Sequence, residues 1–422
     1  MKNKSAEKHT KKNIVVAGGG FGGLNAAVLL AQKLSGHPEA AKITMIDRND
    51  YHLYYQNLYE VASSDEEFTS IADLKHSVAL PYKAALPKSV EFVRAEINKI
   101  NQDAGTVTAG GREINFDYLV VSLGAAVEYF NIPGLDEDSL TLKSLEGALK
   151  IRGEFEALVE QYRLDEDKRI LRIVLGGGGA IGIELAGELQ NLKQILSWKY
   201  GYPLEKIETL VVEGAPHLLP GLPLKVGQTA QRRLHAIGVE TRLESLITAV
   251  NPQHVVLNNG EIINYDMLIW TGGVRSVDIP FVQKVETDKK HRCMTERNLE
   301  LRAYPNIYMI GDNACIMSGD GTHAVPQTAT QAIDHAKYVS SAIAAKILGW
   351  RVPDYRPKGK PFATPIKGKW AILYLPNGFM LTGFWAWVLK QFAQVRYLWG
   401  LMPLSKAVRE TFFEEQLYSR ND

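Results

Sequence analysis

The chain has 422 residues, 45% apolar and 23% charged, and a formal net charge of +1. That length suits two or three domains with sizeable cores. The charge balance argues against nucleic acid as a partner, because such binders carry a basic excess. The only cysteines are Cys293 and Cys315. With no CxxC pair they exclude a disulfide framework and fit a reducing compartment. No metal site is expected.

The opening MKNKSAEKHTKKN is basic and polar. It lacks the apolar core of a secretory signal and reads as a soluble tail. NIVVA, from Asn13, predicts a strand, and GGLNAAVLLAQKL predicts a helix after a glycine turn. KITMID predicts a second strand ending at Asp47, which completes a βαβ unit. FDYLVVSLGA predicts a later strand closing on small residues near Gly124. Residues 144–164 predict a helix, and LDEDKR a polar link.

A second βαβ unit begins at Arg169. It carries the turn in RIVLGGGGAIGIELAGEL, the strand IETLVVEG and the closing strand YDMLIWTGG, which ends at Gly272 and Gly273. PNIYMIGDNA, residues 305–314, predicts a further strand and turn, followed by the helix QTATQAIDHAKYVSSAIAAKIL. The second unit repeats the order of the first, so an internal duplication is expected. Strands alternating with helices imply parallel sheets covered on both faces. The expected class is therefore α/β, with two Rossmann-like dinucleotide-binding domains, the second inserted in the first. The boundaries are 1–125 and 295–350 for the outer domain, 126–294 for the inner one, and 351–422 for a C-terminal membrane-associating module.

Gly18, Gly20 and Gly23 give G-x-G-x-x-G, as do Gly177, Gly179 and Gly182. The first glycine makes the tight turn, the second admits a pyrophosphate, and the third lets the helix pack on the strand. Asp47 and Glu213 stand at the ends of the following strands, where a carboxylate accepts ribose hydroxyl protons. Glu213 would repel a 2′-phosphate, and the adjoining EGAP offers no Arg to receive one, so NADH is expected over NADPH. Two dinucleotide sites in one chain suggest a resident flavin dinucleotide and an exchanging nicotinamide.

These motifs resemble the two-dinucleotide-binding flavoproteins, and within them the type II NADH dehydrogenases, the single-subunit NADH:quinone oxidoreductases. The resemblance runs from about Asn13 to about residue 410. It rests on VVAGGGFGG, IDRNDYHLYYQNLYEVAS, DYLVVSLGA, LGGGGAIGIELAGEL, VVEGAPHLLPGL, LIWTGGVR, NIYMIGDNA and VPQTATQAIDHAKYV. It implies FAD held by Gly18, Gly20, Phe21, Gly22, Gly23, Asp47, Arg48, Gly124, Gly311, Asp312 and Ala329. It implies NADH held by Gly177, Gly179, Ile181, Gly182, Glu213, Gly272 and Gly273. The helix beginning near Gln327 would aim its N-terminus at the flavin ring.

The resemblance also places Glu184 near the nicotinamide and flavin, in substrate binding or proton transfer. Its other reading is a helix N-terminal carboxylate favoured by the dipole. The family's quinone pattern is Ala-Gln-x-Ala-x-Gln. Here ATQAID puts Thr330 and Asp334 where Gln is usual and shifts Gln331 by one position. Thr330, Gln331 and Asp334 are thus the quinone-side candidates, with Asp334 either a proton donor or an exposed helical acid. His52, with Tyr54 and Tyr55, falls in a loop that the family places by the FAD; a structural histidine is the alternative. Both cysteines read as small buried apolar residues.

No stretch of about 18 uninterrupted apolar residues occurs, so no membrane-spanning helix is expected. GFWAWVLKQFAQVRYLWGLMPL, residues 383–404, carries Trp385, Trp387, Tyr397 and Trp399, which suit a water–lipid boundary. Its charges, Lys390 and Arg396, would face anionic headgroups from an interfacial helix. A core helix or dimer contact is the competing reading.

The implied activity is FAD-dependent, non-pumping NADH:quinone oxidoreduction, with menaquinone or ubiquinone as acceptor. The expected setting is peripheral, on the cytoplasmic face of a cell membrane or the matrix-like side of an organelle membrane, with a homodimer as one open assembly. Alternatives are a flavoenzyme with another acceptor (sulfide-linked quinone reduction, ferredoxin or oxygen), an NADH-binding redox sensor, and a flavin-free binding module.

Overall fold

A computed structural model describes residues 11–65, 69–164, 169–319 and 321–419. The basic tail through residue 10 and residues 165–168 of the polar link lie outside the described residues. The chain divides into two units. The first comprises Met1–Leu53, Leu80–Ala126 and Val274–Lys360. The second comprises Tyr54–Ala79, Val127–Gly273 and Pro361–Asp422.

In the first unit, IVVA of the strand Lys12–Ala17 is buried on both faces, as a central parallel strand requires. It pairs in parallel with Ala41–Asp47 on one side and Tyr118–Val121 on the other. Val90–Arg94 and Tyr304–Met309 extend the sheet in parallel, and Glu300–Leu301 closes one edge antiparallel. The helices Phe21–Lys33 and Ala329–Leu348 pack against each other through Ala-rich faces. An antiparallel meander, Ile97–Asn101, Thr106–Ala109 and Arg112–Asn115, precedes the strand Tyr118–Val121.

The second unit repeats this plan. Leu171–Gly176 sits centrally between Ile207–Val212 and Met267–Trp270, with Val239–Arg242 and Leu140–Thr141 at the edges, all parallel. A second meander, Ile247–Asn251, His254–Leu257 and Ile262–Asn264, precedes Met267–Trp270. The same insertion at the same place in both sheets is the mark of the expected duplication.

The contact division departs from the expected boundaries in two places. Tyr54–Ala79 groups with the second unit because the short helix Leu58–Ser63 packs on the helices Leu145–Arg163 and Ala180–Tyr200. Pro361–Asp422 also joins that unit rather than standing apart. It begins with a three-stranded antiparallel sheet, Phe362–Pro365, Ala371–Tyr374 and Met380–Gly383. Reading 351–422 as one membrane-associating module did not foresee that sheet. The Trp-rich helix stops at Trp399, and a second helix, Leu404–Tyr418, follows Pro403, which favours a new first turn. No helix among the described residues is long and apolar enough to cross a membrane.

Candidate functional site

The two glycine turns share one construction. Gly18 has a φ of +94°, and a Cβ there would meet the Ser122 carbonyl oxygen at 2.2 Å. Gly23 lies so close that a Cβ would reach the Gly18 oxygen at 1.7 Å. Gly20, between them, has nothing within 4 Å of its Cβ position. In the second turn Gly177 has a φ of +110°, Gly182 would strike the Gly177 oxygen at 2.1 Å, and Gly179 again faces open space. Outer glycines packed on backbone and a middle glycine left uncovered make a cradle for a diphosphate.

The acids are seated alike. Gly19 N–H donates to Asp47 Oδ2 at 2.6 Å and Asn49 N–H to Oδ1 at 2.8 Å. Gly178 N–H donates to Glu213 Oε2 at 2.7 Å and Ala215 N–H to Oε1 at 2.8 Å. Each carboxylate is thereby aimed and keeps a lone pair for a ribose hydroxyl. Burial raises the Asp47 pKa against these backbone donors and the Tyr82 hydroxyl.

Around the first turn, Phe21 meets His52 edge-on, with ring centroids 4.8 Å apart. His52 Nδ1 lies 3.2 Å from the Gly19 oxygen, and burial lowers its pKa to about 4, so it is a neutral structural donor at pH 7. Gly22 packs on Ser122 and Ile310, whereas Arg48 is exposed. Gly124 has both backbone polar groups engaged by the Asn313 amide, at 3.0 and 2.8 Å, and open space on its Cβ side. Gly311 N–H donates to His335 Nδ1 at 3.1 Å, and Gln327 Nε2 donates to the Asp312 carbonyl at 3.0 Å. His335 is buried and its pKa falls to about 4, so it holds this turn as a neutral ring with its hydrogen on Nε2. Together these residues fit the adenosine, diphosphate and ribityl parts of FAD.

The Ala329–Leu348 helix is capped by Thr328, whose hydroxyl accepts from Gln331 N–H at 3.3 Å. The three quinone-side candidates do not share one surface. Thr330 is exposed, Gln331 is buried, and Asp334 is half-buried. Asp334 pairs with Lys360 at 2.8 Å and accepts from the Tyr355 hydroxyl at 2.8 Å. Burial of its carboxyl is outweighed by these two groups, which hold its pKa below the ordinary value. This arrangement keeps Asp334 ionised, which opposes its reading as a proton donor.

In the second unit Ile181 is exposed on the first turn after the glycines. Thr271 Oγ1 donates to the Gly176 and Gly177 oxygens at 3.2 and 3.0 Å. Gly272 lies on the Trp270 ring, and the Gly273 oxygen accepts from Glu128 N–H at 3.0 Å. Glu184 keeps partial surface as a residue, yet its carboxyl lies inside, accepting from the Thr364 hydroxyl at 2.8 Å. Burial pushes its pKa up to about 8, against the Thr364 hydrogen bond and the Lys390 charge and with the help of Glu188. It is therefore an acid able to hold or release a proton near neutral pH.

Thr364, His335 and Asn313 were not singled out by sequence reasoning. Thr364 reaches Glu184 and Asn313 reaches Gly124 from far along the chain, whereas His335 reaches Gly311 across 24 residues.

On the tail helix Trp385, Leu389, Phe392, Arg396 and Trp399 fall on one exposed stripe at helical spacing, with Trp385 68% and Phe392 67% exposed. The other expected interfacial residues are partly covered. Trp387 stacks on Phe384, and Tyr397 lies against Tyr54. Lys390 donates to the Tyr59 hydroxyl at 3.2 Å, so Arg396 is the cation of the outer stripe and Lys390 is not.

Cys293 and Cys315 are both free and buried. Their short parallel strands pair Cys293 with Ala314 and Met294 with Cys315. Burial raises both thiol pKa values, that of Cys293 to about 12, so neither is a reactive thiolate at neutral pH.

Comparison with known proteins gives consistent matches. The model of the pyridine nucleotide-disulphide oxidoreductase family matches residues 12–336. The type II NADH:quinone oxidoreductase of Staphylococcus epidermidis is 30% identical over 351 residues, covering 82% of this chain and 85% of its own. Among solved structures, NDH2 from Plasmodium falciparum in complex with NADH superposes with a TM-score of 0.83 at 17% identity, covering 96% of this chain and 98% of that one. The sulfide:quinone oxidoreductase from Aquifex aeolicus gives 0.75 at 20% identity, covering 93% and 92%. At these identities the structural likenesses speak for the fold alone.

Proposed function

Because this chain belongs to the pyridine nucleotide-disulphide oxidoreductase family, and within it to the type II NADH:quinone oxidoreductases, we propose that it oxidises NADH and reduces a membrane quinone through FAD without pumping protons. The observation that carries the reading is the pair of cradles, each an uncovered middle glycine beside a carboxylate pinned by two backbone N–H groups.

FAD, when bound, supplies a two-electron carrier that takes hydride from NADH and passes electrons to the acceptor. Gly18, Gly20, Phe21, Gly22, Gly23 and Asp47 would bind its ADP half, with Gly124, Gly311, Asp312 and Ala329 along the rest and Arg48 at the rim. His335 and Asn313 position two of those turns. Gly177, Gly179, Ile181, Gly182, Glu213, Gly272 and Gly273 would bind NADH. Glu213 favours ribose hydroxyls over a 2′-phosphate by charge.

Reduction of a quinone consumes two protons. Glu184, protonated near neutral pH and tuned by Thr364 and Lys390, is the group suited to hold one. Thr330, exposed at the start of the Ala329–Leu348 helix, would face the acceptor, while Asp334 serves structure through Lys360 and Tyr355. The outer stripe of the tail helix would lay Trp385, Phe392 and Trp399 into a bilayer surface, with Arg396 toward anionic headgroups. This makes the protein peripheral, on the cytoplasmic or matrix-like face where NADH is available. The buried cysteines disfavour sulfide as the electron source.

The experiment is anaerobic stopped-flow spectroscopy of the flavin-loaded protein. Addition of one equivalent of NADH should bleach the flavin, and mixing with a short-chain quinone should restore it at a rate sufficient for turnover. Fast bleaching with recovery too slow for turnover would overturn the acceptor assignment.

A further inference from the structure

Within the second unit a cleft of about 530 Å³ opens beside the glycine turn, bounded by Phe130, Glu213, Leu246, Trp270 and Gly272. Two large apolar side chains on this cleft are left in water: Phe130 is 55% and Leu246 57% exposed. Leu246 lies over Gly214, the residue after the ribose-binding acid, where a Cβ would meet its side chain at 2.3 Å.

Phe130 has a φ of +52° and Asn131 one of +54°. Left-handed backbone is tolerated by Asn but is an outlier for a bulky aromatic. The surroundings enforce it. Phe130 N–H donates to Glu128 Oε1 at 2.8 Å. The Glu128 carbonyl accepts from the Trp270 indole at 2.8 Å, and its N–H donates to the Gly273 oxygen at 3.0 Å. The Phe130 ring then stands edge-on to Trp270, with centroids 6.4 Å apart. A strained backbone that holds an exposed ring over a cleft is a feature found where a ligand is bound.

We propose that Phe130 and Leu246 flank the adenine ring of the dinucleotide whose ribose Glu213 takes, which makes Phe130 a specificity-determining residue for the adenosine half. This rests on the reading of the second unit as the NADH site. The cleft offers an apolar slot for a flat ring, and the pinned carboxylate stands beside it for the sugar. The rigid strap through Glu128 pre-organises the ring, so binding does not have to order it.

The test is calorimetric titration with ADP-ribose, which carries the adenosine diphosphate and lacks nicotinamide, using the flavin-loaded protein. Phe130→Ala should weaken ADP-ribose about tenfold, the scale of one lost base–aromatic stack. Phe130→Trp should restore it. Phe130→Gly removes the ring and relaxes the left-handed backbone, and should show the same loss with an unchanged or raised Tm, which separates binding from folding. In Phe130→Ala, kcat at saturating NADH should stay at the wild-type value while KM rises. Wild-type affinity for ADP-ribose in Phe130→Ala would overturn the proposal and leave the NADH site standing. Failure of the wild-type protein itself to bind ADP-ribose would overturn the NADH-site reading, and the proposal with it.

Discussion

With a pKa near 8, the Glu184 carboxyl is about nine-tenths protonated at pH 7. Glutamine copies the shape of the protonated acid and cannot release a proton. Glu184→Gln should therefore fold normally and lose the alkaline limb of the activity profile. Thr364 donates to this carboxyl at 2.8 Å and so favours the ionised form. Thr364→Val removes that donor and should move the breakpoint up by about one pH unit, the worth of a hydrogen bond to a charged group of about 1.5 kcal/mol. Stability responds in a definite direction. Between pH 4.5 and about 8 the fold holds a proton at Glu184 that the unfolded chain has lost. The group's contribution is complete below 4.5 and disappears as pH rises toward 8. The ceiling on that loss is about 5 kcal/mol, reduced by the residue's partial solvent access. Glu184→Gln should flatten this dependence. The assays are a pH series of NADH:quinone turnover from about 5.5 to 9.5 and Tm across the same range. An unchanged breakpoint in Glu184→Gln, or a downward move in Thr364→Val, would refute the reasoning.

The cradles predict a contrast between glycines of one motif. Gly20→Ala meets no protein atom within 4 Å and should fold yet retain little flavin by absorbance per chain, whereas Gly23→Ala collides with the Gly18 oxygen and should not give soluble protein. Glu213→Gln should lower kcat/KM for NADH by about tenfold and narrow the preference over NADPH, since a hydrogen bond to a charged group is worth about 1.5–3 kcal/mol. Asp334→Asn removes the charge paired with Lys360 and leaves one acceptor oxygen for Lys360 and Tyr355, so Tm should fall while the pH profile of quinone reduction stays put. Trp385→Ala with Phe392→Ala should weaken binding to anionic liposomes by at least about a hundredfold, given about 1.5–3 kcal/mol for each buried side chain. Binding equal to wild type would remove the stripe from the membrane contact.

Local rules made the two nucleotide folds readable. Glycine spacing, apolar strands and acids at strand ends all act within about forty residues of one another, and the structure seats Asp47 and Glu213 accordingly. What escaped depends on distant pairing. Thr364 reaches Glu184 across 180 residues, and Asn313 reaches Gly124 across 189. The helix Leu58–Ser63 reads as part of the first unit by position and joins the second through packing alone. In the tail, composition pointed to aromatic residues and could not say which way they face. The buried Ala386, Gln394 and Leu398 fix the helix rotation, which sends Lys390 inward and leaves Arg396 outside.

The two cysteine strands carry a consequence for how electrons leave the protein. Parallel partners share a face of the sheet and successive residues alternate. Cys293 therefore points with Ala314, and Cys315 points to the other side with Met294. The two sulfurs cannot be joined without a shift of register between the strands. In a family named for disulphide chemistry, this chain thus has no internal thiol couple on which an electron pair could come to rest. An electron pair delivered by a nicotinamide therefore passes to an outside acceptor without being stored on sulfur.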